Sequence, residues 1–134
     1  MKYNGIIEAK LRTIEEKLAE IESWQIISYH QLQVNSMLRN ATERALQVAI
    51  EAIIDVCEHI LAIEGISAPD SSTNVIKKVI EKGFITDNEE YVNMIRFRNF
   101  IVHRYEKIDL EIICTIVSKK LPVFRTFIHE IRNS

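Results

Sequence analysis

Residues 40–60 read NATERALQVAIEAIIDVCEHI, a stretch without glycine or proline in which apolar side chains return at threes and fours. Ala41, Ala45, Val48, Ala49, Ala52, Val56 and Ile60 fall on one stripe, the period of an amphipathic helix rather than a strand. Upstream, Asn35 can cap this helix, and Leu38 extends its stripe, so the spacing predicts one helix from Asn35 to about Ile63. The repeated alanines permit close approach of a neighbouring helix.

The same period continues on either side. From Ile6 to about Ile27, Ile7, Leu11, Ile14, Leu18, Ile21 and Ile27 recur with Glu and Lys between them, predicting a first long helix. The segment SYHQLQVN, residues 28–35, loses that regularity. EGISAPDSS is a loop by its glycine and proline, and a short helix is expected over about Thr73 to Lys82, ended by Gly83. Thr86-Asp87-Asn88-Glu89 fits a capping box that opens a fourth helix, and Asp109 fits a cap with Ile108 and Ile113 as its hydrophobic staple. The last helix carries Leu110, Ile113, Val117, Leu121, Phe124, Ile128 and Ile131. Pro122 lies inside that stripe and predicts a kink or break. No segment alternates with period two. The expectation is an all-α, up-and-down bundle of four long helices plus one short helix, in a single domain spanning residues 1–134.

Composition narrows the function classes. Hydrophobic residues make up 47% of the 134 and charged residues 27%, with three glycines and two prolines, which suits a compact helical protein and not a disordered one. No apolar run approaches the roughly 18 residues of a membrane span, so a cytoplasmic protein is expected. Cys57 and Cys114 stand outside any CxxC or Cys/His spacing and are expected as buried thiols, without a metal site, disulfide or cofactor. The net charge of -2 gives no basic surface overall. Any contact with nucleic acid must be local, and Arg96, Arg98, Arg104 and Lys107 supply one cluster of charge for it, with only Glu106 against them.

That cluster surrounds the stretch RNFIVHRY, residues 98–105. Tyr91, Ile95, Arg98 and Val102 step by four, three and four, so Arg98 sits in an otherwise apolar seam. A guanidinium does not lose its charge. It must therefore meet a carboxylate, for instance a glutamate on the second long helix, or backbone carbonyls, or an anion across a cleft. Glu43, Arg44 and Asp55 are the polar positions beside that helix's apolar face, candidates for contact with Arg98 or for plain salt bridges. His103 follows Arg98 by five residues, about 140° round an ideal helix, so the two converge only if the helix ends there or a second subunit contributes. His30, His59 and His129 read as surface or packing residues, as do Tyr3, Trp24 and Tyr29. Histidine with arginine and a tyrosine suffices to cleave RNA through its own 2'-hydroxyl, a reaction that needs no metal.

Arg98-Asn99, three apolar residues, His103, one residue and Tyr105 resemble the RNxxxHxY form of the R-x4-6-H motif of HEPN domains, specifically the HepT-like toxin family. NATERALQVAIEAIIDVCEHI is similar to that family's second helix and GFIT to its lead-in to the motif helix, so the resemblance covers nearly the whole chain. It implies a HEPN-like homodimer with two motifs facing a shared cleft, and the toxin component of a type VII toxin–antitoxin system acting as a metal-independent endoribonuclease on RNA such as tRNA or mRNA. Carried over, His103 acts in proton transfer, Arg98 stabilises charge at phosphorus, and Asn99 orients the phosphate or the histidine. Tyr105 resembles the residue to which a partner MntA-like minimal nucleotidyltransferase antitoxin transfers AMP, and Arg96, Arg104 and Lys107 are the RNA-binding positions beside it. The alternative is a noncatalytic helical module that uses the same basic cleft to bind a nucleotidyltransferase or a nucleotide.

Overall fold

A computed structural model describes residues 4–103 and 110–134, with Val102 and His103 by their backbone alone. The described residues form helices and no strand: α1 (Gly5–Ser23), α2 (Tyr29–Val34), α3 (Ser36–Ile63), α4 (Ser72–Glu81), α5 (Glu89–His103), α6 (Leu110–Thr115) and α7 (Leu121–Arg132). None of the described helices is long and apolar enough to cross a membrane.

The capping chemistry explains most boundaries. Asn4 and Asn35 each accept a backbone N–H with the side-chain oxygen, from Ile7 at 2.9 Å and from Leu38 at 3.0 Å, and so start α1 and α3. At the other end of α4, Gly83 adopts φ +79°, which lets its N–H reach the Ile80 carbonyl and the Phe84 N–H reach that of Val79. That is a Schellman closure, for which a residue without Cβ carries no steric penalty.

Three boundaries differ from the sequence expectation. The first helix ends at Ser23 rather than Ile27, because Gln25 turns into the left-handed region at φ 51°, and Ile27 is left 88% exposed. The irregular segment after it holds one short helix, α2, opened by a capping box between Ser28 and Gln31. It buries only Leu32, too few anchors for a period to show. Finally, Thr86 does not cap α5. Asn88 accepts from the Glu90 N–H at 3.0 Å instead, while the Thr86 hydroxyl donates to Glu130 on α7 at 2.6 Å. The expected cap at Asp109 lies outside the described residues.

At Pro122 the helical run is altered but not broken. A π-helical turn, Ile116–Lys120, joins α6 to α7, and the proline sits in the first turn of α7, directly after it. Val117, inside that turn, is only half-buried, and Phe127, unanticipated, is fully buried beside the expected Leu121, Phe124, Ile128 and Ile131.

α3 is the central element. It packs along α1 on one side and against α2, α4 and α5 on others. Two flanks are thus covered, and the buried set widens beyond the alanine stripe to Leu46, Ile50, Ile53, Cys57 and Leu61. Burial pushes the Cys57 thiol well above its usual pKa, as for an inert core cysteine. Cys114 is half-buried and free.

α7 closes the bundle through polar ties. Arg132 reaches Glu8 and Glu15 on α1 at 2.8 and 2.6 Å, and Arg125 pairs with Glu22. The Arg132 hydrogen bond holds the Glu15 carboxyl below its ordinary pKa. Glu130 collects the Tyr91 hydroxyl at 2.6 Å together with the Thr86 hydroxyl and N–H, and the Tyr91 ring meets Phe127 edge-on at 5.7 Å. Burial first, then the Glu130 carboxylate, hold the Tyr91 phenol above its usual pKa. Tyr91 is fully buried, so removing its acceptor strands a phenol O–H. Glu130→Ala is expected to lower unfolding free energy by about 1–3 kcal/mol, read from denaturant titration; an unchanged midpoint would show that water replaces the carboxylate.

Candidate active site

Arg98 leaves α5 on the face that looks towards α3 and α4. Its carboxylate partner is Glu51 on α3, with Nη2 3.5 Å from Oε1. The expected glutamate on that helix is present, but it is neither of the two carboxylates named from the sequence. Asp55 pairs with Lys10 of α1 at 3.1 Å, Glu43 is buried elsewhere on α3, and Arg44 is exposed. A sequence signal did exist. Glu51 is the one charge inside VAIEAII, residues 48–54, just as Arg98 is the odd cation in its own seam.

The Glu51 contact is long and single, although Gln47, one turn earlier, holds the same oxygen through Nε2 at 3.1 Å. Arg98 also donates from Nη1 to Asn99 Oδ1 at 3.1 Å. Its Nε is buried and has no hydrogen-bond partner among the described residues. A guanidinium with five donors, one loose carboxylate and an orphaned nitrogen retains capacity for an anion with several acceptor oxygens. The side chain is 25% exposed, so an anion has a route to it.

The carboxamide of Asn99 is tied to the first turn of α4. Ser72 Oγ donates to Oδ1 at 3.3 Å, and Nδ2 donates to Thr73 Oγ1 at 3.5 Å. Neither hydroxyl was anticipated from the sequence, where both fall at the edge of a loop.

His103 is the last residue of α5, so the backbone between it and Arg98 is helical throughout. Positions 98 and 103 therefore lie about 140° apart round the axis and about 7.5 Å apart along it. Arg96 is exposed on the same helix. Arg104, Tyr105 and Lys107 lie outside the described residues. Elsewhere, His30 and His129 are exposed, His59 is half-buried, and Trp24 packs against the core.

A well-formed cavity among the described residues lies elsewhere. It measures about 430 Å³ between α5 and the α6–α7 run, with Met94, Phe97, Ile112, Ile116 and Phe124 among its walls. Its cation, Lys120, is engaged by Glu90 at 3.0 Å. Neither Arg98 nor Asn99 lines it. An apolar hollow with its charge already paired is a poor receptor for a phosphodiester, and the chemistry points to Arg98 instead.

Comparison with known proteins finds the same bundle. The mRNA nuclease HepT of Shewanella oneidensis is 28% identical over 132 residues, covering 96% of this chain and 98% of its own length. A solved structure of a tri-AMPylated Shewanella oneidensis HEPN toxin in complex with MNT antitoxin superposes with a TM-score of 0.90 at 27% identity, over 98% of this chain and all of that one. A cytosolic protein of unknown function from Bacillus subtilis, YutE, shares the fold at a TM-score of 0.80 and 19% identity, over 95% and 86% of the two chains. The profile of the Ribonuclease HepT-like family matches residues 14–131, from the third turn of α1 to the end of α7, and the chain belongs to that family.

Proposed function

We propose that this chain is the toxin of a toxin–antitoxin pair, an endoribonuclease that works as a homodimer in the cytoplasm and needs no metal. Its activity is switched off when an MntA-like nucleotidyltransferase transfers AMP to Tyr105. The observation that carries this reading is Arg98: a cation set in the apolar side of α5, loosely paired with Glu51, with Nε unsatisfied among the described residues. The named Shewanella relatives, a nuclease and an AMPylated toxin held by its antitoxin, support it.

The chemistry follows from the residue types. RNA carries its own nucleophile, so cleavage requires removal of the 2'-hydroxyl proton, stabilisation of charge on the phosphorane oxygens, and a proton for the departing 5'-oxygen. As the 2'-oxygen bonds to phosphorus the bond to the 5'-oxygen breaks, leaving a 2',3'-cyclic phosphate. Imidazole, whose free pKa lies near 6.5, can both accept and donate a proton at neutral pH, which suits His103 to both transfers. Arg98 supplies two parallel N–H donors to the phosphoryl oxygens as their charge grows. Arg96, Arg104 and Lys107 add backbone contacts whose strength falls with salt. AMP on Tyr105, two residues past His103, brings bulk and negative charge that repel the RNA backbone.

The test is cleavage of total RNA or a tRNA pool by the purified, unmodified protein with EDTA present. The expected products end in 2',3'-cyclic phosphate, and treatment with an MntA-like nucleotidyltransferase and ATP abolishes their formation unless Tyr105 is replaced by phenylalanine. No cleavage from a folded, unmodified dimer would sink the ribonuclease reading and favour a noncatalytic module that binds the nucleotidyltransferase or a nucleotide.

A further inference from the structure

Ser71, Ser72 and Thr73 place three hydroxyls in succession at the start of α4. Ser71 alone performs the capping, its Oγ accepting from the Asn74 N–H at 3.2 Å. The next two hydroxyls are thereby released from local duty, and both meet Asn99, which lies 27 and 26 residues further along the chain.

The polarity of that meeting is chemically forced. Asn99 Oδ1 faces Arg98 Nη1, and a guanidinium has donors only, so the flipped carboxamide would set donor against donor. With Oδ1 towards the arginine, Nδ2 needs an acceptor, and Thr73 Oγ1 provides it; Ser72 Oγ then donates to the second lone pair of Oδ1. The amide is fixed from both ends. Arg98, by contrast, is a long side chain whose other described tie is the 3.5 Å contact to Glu51. Its direction depends on Asn99, and that of Asn99 depends on α4.

We propose that Ser72 and Thr73 are positioning residues of the RNA-cleaving site: they lock the Asn99 carboxamide, whose oxygen holds the Arg98 guanidinium in the orientation that meets the phosphate. This rests on the ribonuclease reading and gives Asn99 a definite task, orienting the arginine rather than the phosphate or the histidine. It also makes α4 part of the site.

Two readouts separate the proposal from the reading beneath it. In cleavage assays, Ser72→Ala with Thr73→Val is expected to lower kcat about tenfold with KM changed less than about twofold, because the positive charge remains while its alignment is lost. The conservative exchanges Ser72→Thr and Thr73→Ser should recover most of the rate. Without any RNA, 15N spectra of the arginine side chains should show distinct Nη1 and Nη2 signals for Arg98, identified by their loss in Arg98→Lys, that merge in the double variant. The single variants serve if the double one does not fold. A folded double variant with parental kcat overturns the proposal, and so does an unaltered Arg98 spectrum. If the parent itself cleaves no RNA, the ribonuclease reading falls and the proposal falls with it, whatever the spectrum shows.

Discussion

Arg98→Ala is expected to reduce RNA cleavage by about 10²–10³-fold, the usual loss when one preorganised donor group is taken from a developing oxyanion. The stability cost should be far smaller. Arg98 and Glu51 keep 25% and 35% of their side-chain surface in solvent and touch at 3.5 Å, the geometry of an ion pair worth at most about 1 kcal/mol. After truncation Glu51 retains Gln47 and can turn to water. Separating activity from folding is therefore feasible here. Arg98→Lys is the sharper control, since it preserves charge but replaces the planar fork with a single point donor that cannot grip two phosphoryl oxygens side by side, and it should recover little of the rate. Single-turnover cleavage beside thermal unfolding checks both. A folded Arg98→Ala protein that cleaves within about threefold of the parent would remove this arginine from the active site.

How far the sequence could lead depended on whether the determining contact is local. Asn35 and Gly83 were legible because a cap is a contact within a few residues, and Pro122 because a missing N–H perturbs its own helix. Thr86 looked like a cap and is not one, for a carboxylate 44 residues away, Glu130, competes for its hydroxyl. The site divides in the same way. That Arg98 needs a carboxylate, backbone carbonyls or an anion follows from burying a permanent charge; that it meets Glu51 depends on how α3 packs against α5. Ser72 and Thr73 had no local signature. Their role exists only because α4 folds back onto α5.

His103→Ala should be the most damaging single exchange, lowering cleavage by about 10²–10⁴-fold and flattening whichever limb of the pH–rate profile reports the imidazole. An arginine variant keeps that limb, so the two losses are distinguishable in kind. A mixing experiment then tests how the residues meet. Within one α5, positions 98 and 103 diverge by about 140°, an arrangement ill suited to gripping one phosphate from one chain. A two-fold pair removes the difficulty by setting the arginine of one subunit beside the histidine of the other. If Arg98→Ala and His103→Ala proteins are unfolded together and refolded as mixed dimers, half the population is heterodimeric and each heterodimer holds one complete site and one doubly defective site. About a quarter of parental activity should return from two inactive preparations. If each site draws both residues from a single chain, every site in the mixture lacks one of them, and the mixture stays as inactive as its components.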